Sequence, residues 1–224
     1  MNAKDLFFLN LPDLPKTVDQ KLYEICKSVK TDNDRLNSFR NSFNFNGDLT
    51  TIALQEYNTD QIKQIPKKIL TELKDIYSPI FREEVHVSLG IARSIESTKS
   101  LTPPHCDRKR HVAINYILKS GGDNVVTTFY KEKRKNSDLN TGESLDYDQV
   151  SFSSCCVLPE RKWHTFNAQQ YHSVENIKTE RYYFSLLPLS NPTFEKFIEQ
   201  HKSLITKKLN CEISSVGRAR PLQG

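Results

Sequence analysis

Val112-Ala113-Ile114-Asn115-Tyr116-Ile117-Leu118-Lys119-Ser120-Gly121-Gly122-Asp123-Asn124-Val125-Val126-Thr127-Thr128-Phe129-Tyr130 is the stretch that decides the fold. Val112, Ile114, Tyr116 and Leu118 recur at every second position, the period of a strand whose side chains alternate between two faces. Gly121-Gly122-Asp123 interrupts the run, and a β-branched and aromatic run follows, so the pair reads as a hairpin. The same period starts upstream, where Val85, Val87, Leu89 and Ile91 alternate with mostly polar or small neighbours. It resumes at 150–158, around 164–166, near 171–174 and at 181–187. Short strands at this spacing, preceded by helical patterns, predict a mostly β chain with flanking helices, built on a double-layered antiparallel jelly roll.

Outward from that core, residues 1–83 read as an amino-terminal buttress of the same domain. A short strand over 5–11 is closed by Pro12 and Pro15, and Thr17 caps a helix carrying Val18, Leu22, Ile25, Cys26 and Val29 at helical spacing. Residues 31–48 read as a loop and 51–57 as a strand. Pro66 opens a second helix through Ile69, Leu73, Ile76 and Tyr77, which Pro79 stops. Residues 84–190 form the β core, interrupted by a polar loop over 131–147. Residues 191–209 predict a carboxy-terminal helix, with Asn191 as cap and Phe194, Phe197, Ile198, Ile205 and Leu209 as one apolar stripe. Residues 210–224 have no apolar face to bury and read as a disordered tail.

Composition narrows the function classes. A chain of 224 residues is long enough to bury one core without disulfides or a structural metal. A net charge of +5 is too small to make an electrostatic case for nucleic acid. Five cysteines, an odd number with Cys155 and Cys156 adjacent, form no disulfide framework, and a reducing cytoplasm is the expected location. Apolar runs are strand-sized, so no membrane span is expected. The sequence does not fix the oligomeric state.

His105-Cys106-Asp107 carries the chemistry. On one strand, residues two apart share a face, so His105 and Asp107 point together and Cys106 points away. With His172 as a second imidazole they make the two-histidine, one-carboxylate set that holds non-haem Fe(II) and leaves coordination positions open. His164 is the rival third ligand, but it lies too far before Arg181 for two adjacent strands joined by a short turn, whereas His172 fits. His86, His111 and His201 are read as structural. Arg108-Lys109-Arg110 would give the site a positive mouth suited to an acidic substrate, although solvated loop charge is the plainer reading.

The order His-x-Asp, a long gap, a distal His and then Arg181 resembles the iron- and 2-oxoglutarate-dependent dioxygenases. Pro104-His105-Cys106-Asp107, Ala113-Ile114-Asn115-Tyr116-Ile117-Leu118 and His172-Ser173-Val174-Glu175-Asn176 are most similar to the aspartyl/asparaginyl β-hydroxylase-like branch and to small phage-encoded oxygenases. The resemblance spans residues 84–190. It implies a double-stranded β-helix in which His105, Asp107 and His172 hold Fe(II). It further implies 2-oxoglutarate as co-substrate and O2 as oxidant, with succinate and CO2 released and a substrate hydroxylated. Arg181 would then pair with the far carboxylate of 2-oxoglutarate, since arginine's planar fork suits a buried carboxylate. Tyr183 and Ser185 share its parity and are candidate donors to the same group. Asn115 or Tyr116 lines the pocket, and parity leaves that choice open. The substrate class implied is a small molecule or a peptide, with an acidic one favoured by the basic triplet. The alternative is a cupin-like binding or scaffolding domain without turnover, which has no reason to keep both the triad and Arg181.

Overall fold

The structure, a computed structural model, describes residues 6–28, 49–55, 65–94, 104–107, 110–133 and 145–208. Its elements in chain order are β1 (Leu6–Leu9), α1 (Lys16–Ser28), β2 (Leu49–Gln55), α2 (Lys67–Phe81), β3 (Val85–Ser94), β4 (Val112–Lys119), β5 (Val126–Glu132), β6 (Val150–Val157), β7 (Trp163–Asn167), β8 (His172–Glu175), β9 (Arg181–Pro188), α3 (Phe194–Gln200) and β10 (Ile205–Lys208).

Two antiparallel sheets result, a seven-stranded one ordered β10-β1-β7-β4-β9-β3-β2 and a three-stranded one ordered β6-β5-β8. His105 forms an isolated antiparallel bridge with His172, adding the start of a further strand beside β8. From β3 onward the chain therefore passes from large sheet to small at His105, back at β4, across at β5 and β6, and so on to β9. That winding is a double-stranded β-helix, the jelly roll expected from the spacing of the strands.

Both faces of the large sheet are covered. Val112, Ile114, Tyr116 and Leu118 of β4 pack with Val85, Val87, Leu89 and Ile91 of β3 against the helices, in one cluster with Leu22 of α1, Leu73 and Tyr77 of α2, and Phe197 of α3. The opposite parity, Ala113 and Ile117, meets Phe129 and Cys156 of the small sheet and Phe166 of β7. The amino-terminal segment is tied down by two donors, because the Tyr77 hydroxyl and the Trp163 indole N–H both reach Pro12 O, at 2.9 and 3.0 Å. A buried phenol and indole must each find an acceptor, and one carbonyl with two lone pairs serves both.

Four local expectations are corrected. Gly121 and Gly122, at φ 89 and 156, do not close a hairpin. They carry the chain from β4 in one sheet to β5 in the other, and β4 pairs with β7 and β9 instead. Thr17 is not the cap of α1, whose first turn bonds to Pro15 O through Val18 N and Asp19 N. Pro79 does not stop α2 but sits in its last turn, and Arg82 at φ 58 ends the helix. The carboxy-terminal helix is only Phe194–Gln200, capped by Thr193 and not by Asn191. After a short 3-10 turn the chain continues as β10, which pairs with β1. β1, β2 and β10 all belong to the seven-stranded sheet. The loop over 31–48 and the tail over 210–224 lie outside the described residues.

Candidate metal centre

His105 and His172 exchange both backbone hydrogen bonds, His105 N to His172 O at 3.0 Å and His172 N to His105 O at 2.9 Å. Residues paired this way stand directly opposite on the same face, and their ring centroids are 4.5 Å apart. Asp107 joins them because its backbone N–H donates to Ala168 O at 2.9 Å, holding the His105 segment alongside the residues that precede β8. Asp107 Oδ1 lies 3.9 Å from His105 Nε2 and 4.0 Å from His172 Nε2. One ligand atom from each of the three residues falls within 4.8 Å of the others.

The donor set suits a divalent transition metal. His172 Nδ1 faces Gln170 O at 2.8 Å, so that nitrogen carries the proton and the Nε2 lone pair is left for the cluster. Burial pulls the His172 pKa down to about 4, aided by the neighbouring His105, so the ring is neutral at pH 7 as a ligand must be. Phe166 meets the same ring edge-on at 5.0 Å and closes off its far side. Burial works against the Asp107 charge, but the Arg110 guanidinium and the two imidazoles outweigh it and hold the carboxyl below its usual range. His105 and Asp107 keep side-chain exposures of 24% and 18%, which makes their side the mouth of the site.

Cys106 is outside the cluster. It is buried, and its thiol donates to Gln169 O at 2.9 Å. Burial, then the Asp107 and Glu132 carboxylates, push its pKa up to about 12, so it stays a thiol.

Deeper between the sheets stands Arg181, 5% exposed, with Nη1 donating to Ser120 O at 3.2 Å. Burial pulls its pKa down to about 10, which leaves it charged at neutral pH. Among the described residues no carboxylate forms an ion pair with it. Tyr183 and Glu160 favour its charged form but do not offset its burial; a buried cation without a paired counter-ion is costly, and an anionic ligand would offset that cost. Asn115 has the parity of Ala113 and Ile117 and faces this interior, whereas Tyr116 faces the helices. The Ser185 hydroxyl donates to Asn115 Oδ1 at 2.6 Å. Burial raises the Tyr183 pKa, and the charges of Arg110, Asp107 and Arg181 all act on its phenol.

Of three further residues of this interior, Arg110 reads as loop charge in the sequence, His164 is weighed there and set aside, and Gly90 is missed. Arg110 is not solvated loop charge, because its Nε and Nη2 grip Asp107 Oδ2 at 2.7 and 2.6 Å. His164, the rival ligand, stands outside the cluster, opposite Asn115 in register and stacked on Phe166. Gly90 faces Tyr183 across β3 and β9, and a Cβ built there would run into the phenol ring. A glycine inside an alternating strand was the available signal for that close approach.

Two expected results follow locally. Gly90→Ala must push the Tyr183 ring off β3, and overpacking of this kind costs about 1–3 kcal/mol; a denaturant midpoint equal to wild type would show that the ring does not rest on Gly90. Burial, then the Arg181 charge, lower the His164 pKa from 6.5 to about 3. Between those pH values the unfolded chain binds a proton that the folded chain refuses, so stability falls as pH drops, by at most about 1.4 kcal/mol per unit. His164→Gln should flatten this slope of unfolding free energy between pH 6 and about 4, and an unchanged slope would count against a neutral, buried His164.

No family model matches the chain, and no curated protein does. Among solved structures it is similar to a 2OG-Fe(II) oxygenase family oxidoreductase from Burkholderia pseudomallei, at 11% identity over 78% of this chain and 79% of that one, with a TM-score of 0.45. A prolyl hydroxylase from Trichoplax adhaerens, in complex with a hypoxia inducible factor peptide, is similar at 11% identity over 89% and 88%, with a TM-score of 0.46. A Pseudomonas putida prolyl-4-hydroxylase is similar at 13% identity over 84% and 93%, with a TM-score of 0.42. At such identities the chemistry of this chain has to be read from its own residues, a two-imidazole, one-carboxylate cluster at the mouth of a jelly roll and a buried guanidinium within it.

Proposed function

We propose that this chain is a non-haem Fe(II)- and 2-oxoglutarate-dependent oxygenase that hydroxylates a small molecule or a peptide side chain. The observation that supports the reading is the His105, Asp107 and His172 cluster, joined through Arg110, Asn115 and Ser185 to the strand that carries the buried cation Arg181. His105 and His172 would hold the metal through Nε2 and Asp107 through Oδ1. When bound, Fe(II) with 2-oxoglutarate and O2 supplies oxidative decarboxylation to succinate and CO2, coupled to hydroxylation of the substrate.

The chain's own residues bind, orient and exclude water. Arg181 offers a planar fork to the far carboxylate of 2-oxoglutarate. Ser185, Asn115 and Tyr183 lie along the wall between that cation and the metal ligands, and Ser185 can turn its hydroxyl from Asn115 Oδ1 to a bound carboxylate. Ala113, Ile117, Phe129 and Phe166 supply the apolar lining that keeps water from the reacting centre. Substrate approaches on the side where His105 and Asp107 are partly exposed.

The test is anaerobic reconstitution with Fe(II), addition of 2-oxoglutarate, and detection of succinate after admitting O2 in the presence of peptides and amino acids. Succinate above the Fe(II)-free control is the expected result. Absence of both succinate and a metal-to-ligand charge-transfer band would overturn the reading in favour of a binding domain.

A further inference from the structure

Arg110 touches the cluster in a one-sided way. Nε donates to Asp107 Oδ2 at 2.7 Å and Nη2 lies 2.6 Å from the same oxygen, so the guanidinium's hydrogen bond and ion pair both fall on Oδ2 while Oδ1 faces the imidazoles at 3.9 and 4.0 Å. A guanidinium seated on one carboxylate oxygen leaves that oxygen the less available of the two to a second cation, and charge-assisted bonds of this kind are about twice as strong as neutral ones. The guanidinium is held in turn. Its Nη1 lies 3.4 Å from Asn115 Oδ1, and the Gln169 side-chain amide donates to both Asp107 O and Arg110 O at 2.8 Å, tying the backbones of the two partners to one side chain. Side-chain exposures of 20% and 18% set this pair apart from a solvated surface bridge.

We propose that Arg110 is a positioning residue that fixes the denticity of Asp107, reserving Oδ2 so that only Oδ1 is offered to a metal. The inference rests on reading the cluster as a metal centre. Its consequence is a count of open positions. A one-oxygen carboxylate with two imidazoles leaves three positions of an octahedron free, enough for a chelating co-substrate and O2. A two-oxygen carboxylate leaves two, which the chelate alone would fill.

Mn(II) is the probe, in the full chain without co-substrate. Electron spin-echo modulation in deuterated water counts the waters bound to it. The wild type is expected to show three, and Arg110→Met, which keeps the length and apolar stem, is expected to show two as Asp107 turns to chelate. Infrared difference spectra of the wild type with labelled aspartate give a second measurement independent of any variant, and should show the wide stretch separation of a one-oxygen carboxylate. A wild-type count of two, a two-oxygen infrared signature, or a folded Arg110→Met that keeps three waters would each overturn the role of Arg110 while leaving the metal centre standing. Failure of the wild type to bind Mn(II) at all would overturn both.

Discussion

Asp107→Asn is expected to abolish metal binding without unfolding the protein. The substitution keeps the side-chain shape and an oxygen for Arg110 to bond, but it removes the anion of the cluster. Two neutral imidazoles would then face a dication beside the Arg110 guanidinium, whose repulsion the carboxylate had offset. Losing a hydrogen-bonding partner of a metal ligand typically costs 10–100-fold in affinity, and losing a charged ligand next to a fixed cation should exceed about a hundredfold. Titration calorimetry with Mn(II) or Co(II) measures it directly. Equal affinities in wild type and variant would remove Asp107 from the ligand set. Charge-assisted hydrogen bonds contribute about 1.5–3 kcal/mol each, so a moderate fall in the unfolding midpoint should accompany the loss.

Arg181→Ala is expected to separate co-substrate binding from metal binding. If the guanidinium pairs with the far carboxylate of 2-oxoglutarate, truncation removes bonds worth about 1.5–3 kcal/mol each, and at about 1.4 kcal/mol per decade the affinity falls at least tenfold. Mn(II) affinity should stay within about twofold, since no ligand is touched. The folded chain should tolerate the change, because in the absence of a ligand Arg181 is a buried charge whose hydrogen bond goes to the neutral Ser120 carbonyl. The charge-transfer band of the anaerobic Fe(II) complex, titrated with 2-oxoglutarate in wild type and variant, reports the difference. Superimposable titrations would take Arg181 out of the pocket.

Period-two alternation was enough to place β3, β4, β8 and β9 on the sequence, and with β9 the shared face of Arg181, Tyr183 and Ser185; the same parity rule paired His105 with Asp107, which lie beside β8 outside any named strand. That parity is a property of the extended backbone and needs no partner strand. Tertiary structure alone decided which face is which. Every residue of β4 from Val112 to Leu118 is buried, because helices cover one side and the small sheet the other, so apolar side chains occur at both parities and hydrophobicity could not choose between Asn115 and Tyr116. Gly121-Gly122 shows the same limit. Glycine licenses a reversal, but whether the next strand pairs with the last or crosses to a second sheet depends on which neighbours β7 and β9 provide. Arg110 had no periodic signal at all, since it precedes β4 and its backbone carbonyl is held by Gln169, a residue distant in sequence. His105 and Asp107 were legible together because an extended chain alternates its faces. The guanidinium that grips Asp107 was not, because its place is fixed by a long-range hydrogen bond.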